Sequence, residues 1–104
     1  MTTDEKIRFV AEKVCGWRVS PTGTCWVTES NWLSMGDWNP CESLDDCAIA
    51  EACIVRNARE YSYYLALLAI IEKDSGKTMS PFKTITGTSM QRVDAMIRAF
   101  GGEP

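Results

Sequence analysis

The chain has 104 residues, 45% of them hydrophobic and 24% charged, a balance that fits one globular domain over 1–104 and excludes disorder and low-complexity architectures. It contains no histidine, so Ser-His-Asp and Cys-His triads and His-ligated metal or haem sites are outside its repertoire. Net charge is −3 but unevenly spread: residues 19–55 hold six acids and no Lys or Arg, which leaves −6 there and +3 in the remainder.

Thr2 and Glu5 have capping-box spacing, and Ile7, Val10, Ala11 and Val14 then fall at helical intervals before Gly16, which predicts a first helix. Trp17 to Ser20 and Thr24 to Thr28 are short, β-branched or aromatic runs on either side of Ser20-Pro-Thr-Gly23; together they predict a β-hairpin near 17–28. Residues 29–42 mix Asn31, Gly36, Asn39 and Pro40 with Trp32, Leu33 and Trp38, the composition of an ordered loop or a short edge strand held down by tryptophans. Ser43 caps a second helix that ends near Asn57, with Leu44, Cys47, Ala48, Ala52 and Val55 lining one face.

The stretch 59–74 is read as a third helix for its length, its Leu, Ala and Glu content and the Ser75-Gly76 stop. A short alternating strand over 82–86 is expected to pair with the hairpin. Thr88 or Ser89 then caps a fourth helix carrying Met90, Val93, Met96, Ile97 and Phe100, closed by Gly101-Gly102. The predicted class is α+β, about four helices packed with a small antiparallel sheet.

The first residues alternate acids and bases and lack the apolar core of a secretory signal, and the longest apolar run, Tyr63 to Ile71, has nine residues, far short of the roughly 20 a membrane helix needs. A cytoplasmic protein without membrane contact is expected, with Cys15, Cys25, Cys41, Cys47 and Cys53 as free thiols. Cys47 and Cys53 lie about 120° apart around a helix, so the cysteines read as small buried hydrophobes and no metal or cofactor is expected. Direct nucleic-acid binding is disfavoured, because the most aromatic segment is also the most acidic. The apolar run around Tyr61 to Ile71 suits either the interior of a monomer or the interface of a homodimer.

Three segments resemble small proteins of tailed-phage and prophage genomes, some grouped as the phage α-β-α sandwich domain. Ile7-Arg-Phe-Val-Ala-Glu-Lys-Val-Cys-Gly-Trp17 is similar to that family's opening I-A-E-K-V-M-G-W. Trp38-Asn-Pro40 followed by Leu44-Asp-Asp46 and an alanine-containing helix resembles its W-x-P and D-x-x-x-A stretch, and Ile85 through Gly101 resembles its A-T-x-x-Q-R-x-E-A-x-L-R-x-x-G ending. Cys15 stands where Met is usual, Asp94 where Glu is usual, and the chain ends Gly-Gly-Glu-Pro rather than Gly-Leu-Trp. The resemblance implies phage origin and a bacterial cytoplasm. It implies no activity.

Four tryptophans fall within 22 residues, at 17, 26, 32 and 38. Trp17 and Trp26, on hairpin strands, are expected in the core. Trp32 and Trp38, beside Asp37, Glu42, Asp45 and Asp46, form the candidate partner-binding site, where aromatic anchors dominate binding energy. The expected function is that of a non-enzymatic phage accessory protein, an inhibitor or modulator that binds a bacterial host or defence protein through this acidic, Trp-rich surface. The alternative is a protein that sequesters a nucleotide signal, for which Arg18, Arg56 or Arg59 would have to converge on a pocket. An enzyme is the least favoured reading: Asp45, Asp46 and Glu42 offer carboxylates for a hard cation, but no phosphate loop or base accompanies them.

Overall fold

The computed structural model describes residues 1–76 and 87–104. Its elements run α1 (Thr3–Phe9), a π-helical turn (Val10–Val14), β1 (Arg18–Val19), β2 (Cys25–Val27), β3 (Trp32–Ser34), a 3-10 turn (Met35–Asp37), α2 (Leu44–Arg56), α3 (Glu60–Ser75) and α4 (Ser89–Ala99). Among the described residues, four α-helices and a three-stranded antiparallel sheet make an α+β fold.

Each helix starts or stops where local chemistry directs it. Thr2 and Glu5 exchange side-chain and backbone hydrogen bonds at the head of α1, and Thr88 and Gln91 do the same for α4. Ser43 accepts the Asp46 N–H at the start of α2, with Asp45 and Asp46 at the positive end of the helix dipole. Gly76 ends α3 at φ 69°, the left-handed conformation that a residue without a Cβ adopts without strain.

The predicted first helix changes pitch at Val10. The Cys15 N–H reaches back five residues to the Val10 carbonyl, and the Trp17 N–H reaches Ala11 O. The wider turn still buries Val10, Ala11 and Val14, and it delivers Trp17 into the core, its ring 4.9 Å from that of Trp38 at an interplanar angle of 59°.

The hairpin forms as read, with Arg18 opposite Val27 and Val19 opposite Trp26. Ser20 closes its loop twice: the Ser20 N–H donates to Cys25 O, and the Ser20 hydroxyl accepts the Cys25 N–H. The third strand is the edge-strand alternative for 29–42: Trp32–Ser34 pairs with β2 after a tight turn in which Thr28 bonds Asn31 through backbone and hydroxyl. The strand expected at 82–86 lies outside the described residues.

The core is organised around α4, which packs against α3, α2, α1 and the π-helical turn. Val93, Met96 and Ile97 are buried as the period predicts, and Ala95 and Ala99 are buried too, their small side chains letting neighbouring helices come close on a second flank. On α2 the buried residues are Cys47, Ala50, Cys53 and Ile54. Of the apolar face read from sequence only Cys47 is buried; Leu44, Ala48, Ala52 and Val55 are exposed. Both sides of α2 are apolar, and the side that is buried is centred about a third of a turn away from that reading.

Candidate functional site

The six residues singled out from sequence separate into two groups. Trp38 is 1% exposed; its Nε1 donates to Asp46 O at 3.2 Å and its ring packs at a tilt against Trp17. It is a core residue and not a partner contact, because the chain after the 3-10 turn folds it under α2. Asp46 is likewise structural: its Oδ2 accepts the Asn39 N–H at 2.8 Å, which fixes the Trp38-Asn39-Pro40 bend against the first turn of α2. Trp32, Asp37, Glu42 and Asp45 remain exposed, Trp32 at 55%.

The exposed half of α2 supplies what Trp38 does not. At 100° per residue, Leu44, Val55, Ala48, Ala52 and Ile49 fall in one continuous outward arc, shared with Asp45 and Arg56. Leu44 is 54% exposed, Val55 62% and Ile49 44%. A helix on a protein surface ordinarily turns polar residues to water. This one turns five apolar residues outward, with Glu42 and Asp45 at its N-terminal end. Leu44 and Val55 could be found from the sequence only as members of an apolar face; which face was solvent needed the packing against α4.

Two cavities flank α2. One, of about 480 Å³, lies between α2 and the β2–β3 turn and is lined by Trp17, Leu33, Ile49, Ala52, Cys53 and Arg56 among others. Arg56 pairs there with Glu29, another lining residue, at 2.6 Å, and its second terminal nitrogen donates to Cys53 Sγ at 3.1 Å. The other, of about 240 Å³, lies between α2 and α3 over a polar cluster. There the Tyr63 hydroxyl donates to Glu51 at 2.6 Å, and Arg92 from α4 donates to both oxygens of the same carboxylate at 3.1 and 3.2 Å. Burial, reinforced by the Glu51 carboxylate, pushes the Tyr63 hydroxyl up from its ordinary value, so it stays protonated.

Of the three arginines considered for an anionic ligand, two are committed elsewhere: Arg56 to Glu29 and Cys53, and Arg59 to Ala99 O with its guanidinium over the Phe100 ring; Arg18 is exposed on β1. All five cysteines are free thiols. Burial pushes the Cys15, Cys41 and Cys47 thiols up, Cys47 to about 12. Among the described residues no three acids or cysteines gather as metal ligands, and no helix is long and apolar enough to cross a membrane.

No family model, curated protein or solved structure matches this chain.

Proposed function

We propose that this chain is a non-enzymatic, phage-encoded accessory protein that binds a bacterial host or defence protein through the outward face of α2. The observation that carries the reading is the run Leu44, Ala48, Ile49, Ala52 and Val55 turned to solvent along one helix. An apolar helix face gains free energy when covered, at about 25 cal/mol for each Å² of apolar surface removed from water. Trp32 adds an exposed aromatic of the kind that anchors interfaces. Glu42 and Asp45 give the face an acidic end within a segment that has no Lys or Arg between 19 and 55, which suits a partner whose apolar groove carries a basic rim. The phage assignment is supported by the three motif segments, and the non-enzymatic one by the missing histidine and by the protonated state of the buried Tyr63, Cys41 and Cys47.

The experiment is a capture from bacterial lysate with wild-type protein, Ile49→Glu/Val55→Glu, Asp45→Lys and Val19→Glu, followed by reconstitution with the purified captured protein. Val19 is an exposed apolar residue on β1, away from α2. The expected result is a partner that binds wild type and Val19→Glu, loses at least tenfold in affinity with the α2 double variant, and associates more slowly with Asp45→Lys. A partner bound equally by all four proteins, or none bound by wild type, would reject the reading.

A further inference from the structure

The smaller cavity, of about 240 Å³ between α2 and α3, combines apolar walls with a few polar groups, the make-up of a small-molecule site. Its inner lining includes Ile54 and Leu67, 1% and 4% exposed, with Tyr63 buried beside them. Val55 and Glu60, both exposed, stand at its open side. An apolar protein cavity of about 150 Å³ is enough to hold benzene. This one has room for a single ring with a short arm.

The hydrogen-bonding capacity left over on Glu51 and Tyr63 is that of acceptors. The Tyr63 hydroxyl gives its one proton to Glu51, so its oxygen can only accept a further bond. Glu51 accepts from Tyr63 and from Arg92, and a carboxylate has no proton to offer in return. Arg92 directs Nη1 at Glu51 and Nε at Gly87 O, so its charge offsets that of Glu51. One charge of the lining is then uncompensated: Glu60, in the first turn of α3, has no ion-pair partner among the described residues. Its neighbour in sequence, Arg59, is turned instead to Ala99 O and the Phe100 ring. The matching ligand has an apolar body, donors rather than acceptors, and a positive charge.

We propose that this cavity binds small primary ammonium ions carried on a single aromatic ring or a compact alkyl group. The body lies against Ile54, Leu67 and Tyr63, and the ammonium group sits at the open side by Glu60. Burial of the body supplies most of the affinity. The ion pair supplies discrimination, because an exposed pair changes affinity only a few-fold. The site needs no second protein, and it shares only Val55 with the outward arc of α2.

The test titrates the full chain, labelled on its Ile, Leu and Val methyl groups, with phenethylamine, 2-phenylethanol and 3-phenylpropionate at neutral pH. These probes share one body and differ in the head: cation, neutral group and anion. The expected result is saturable methyl shifts at Ile54, Val55 and Leu67, with a Kd for the amine below about 1 mM, within reach of a ligand of this size. The alcohol is expected to bind about threefold more weakly than the amine and the carboxylate about tenfold, because attraction to Glu60 is lost in the first and becomes repulsion in the second. Glu60→Gln, at an exposed position that the fold tolerates, is expected to bring the amine level with the alcohol. Glu60→Lys is expected to place the carboxylate ahead of the amine. No methyl shift at ten times the expected Kd, shifts centred on Leu33 and Ile49 of the larger cavity, or equal affinity for amine and carboxylate would overturn the proposal.

Discussion

The two loop tryptophans show how differently two copies of one side chain can serve. Trp32 stands on the sheet's outer strand and more than half of it meets water, whereas Trp38 is enclosed, packed at a tilt against Trp17 and bonded to Asp46 O. Trp38→Ala is therefore expected to cost about 3–5 kcal/mol in denaturant unfolding, the range for truncating a buried aromatic. Trp32→Ala is expected to stay within about 0.5 kcal/mol of wild type. Near-UV circular dichroism of Trp38→Ala should also lose the signal of the coupled Trp17–Trp38 rings. Equal stability of the two variants would contradict the assignment. Sequence brings both residues into one turn-rich segment, and local composition cannot tell which ring the chain folds under. The bond from Asp46 to Asn39 decides it, and that contact joins residues whose relation exists only after α2 has docked.

At the scale of elements, what could be read in advance was what is encoded within four or five residues. Thr2, Ser43 and Thr88 cap the helices expected of them, and Ser75-Gly76 ends α3, because caps satisfy backbone groups of their own turn. Orientation was not legible. Apolar residues surround α2, so periodicity could not say which side meets α4, and four of the five residues on the expected face are exposed. The third strand likewise came from Trp32–Ser34, where the alternation is only three residues long. Helix-to-helix fixation rests on a polar cluster invisible to periodicity, since Glu51, Tyr63 and Arg92 come from α2, α3 and α4. Tyr63→Phe is expected to cost about 1–2 kcal/mol and Arg92→Leu about 2–3, because the latter leaves a half-buried carboxylate without its cation. A double-mutant cycle should return a coupling of about 0.5 kcal/mol or more. Strict additivity would show that the three groups do not act as a unit.

The molecule as a whole stores its sensitivity to alkali in its thiols. Cys47 is fully buried, and burial first, then the Glu51 charge, lifts its thiol from an ordinary 9.0 to about 12. Between those values the folded chain keeps a proton that the unfolded chain has released, so the unfolded state binds fewer protons and stability falls as pH rises. The guanidinium midpoint, measured with reductant present, is expected to be flat from pH 7 to about 8.5 and to decline across pH 9–12. Cys41, raised by burial as well, adds to the decline in the same direction. Cys47→Ala should start from a lower midpoint and fall less steeply. A variant that falls as steeply as wild type would locate the loss in other groups.

The π-helical turn at Val10–Val14 means that the segment before the sheet carries one residue more than a regular α-helix would use to cover the same rise. In effect the chain holds a single-residue insertion that the helix has absorbed as a bulge instead of expelling as a loop. Closing that turn to ordinary α spacing with all its residues kept would instead bring every side chain beyond it about 100° out of phase. Trp17 would be carried off the ring of Trp38, and the hairpin would begin from the wrong side of the helix axis. The irregular turn is thus the adjustment that lets a helix of this sequence hand the chain to the sheet in the correct rotational setting.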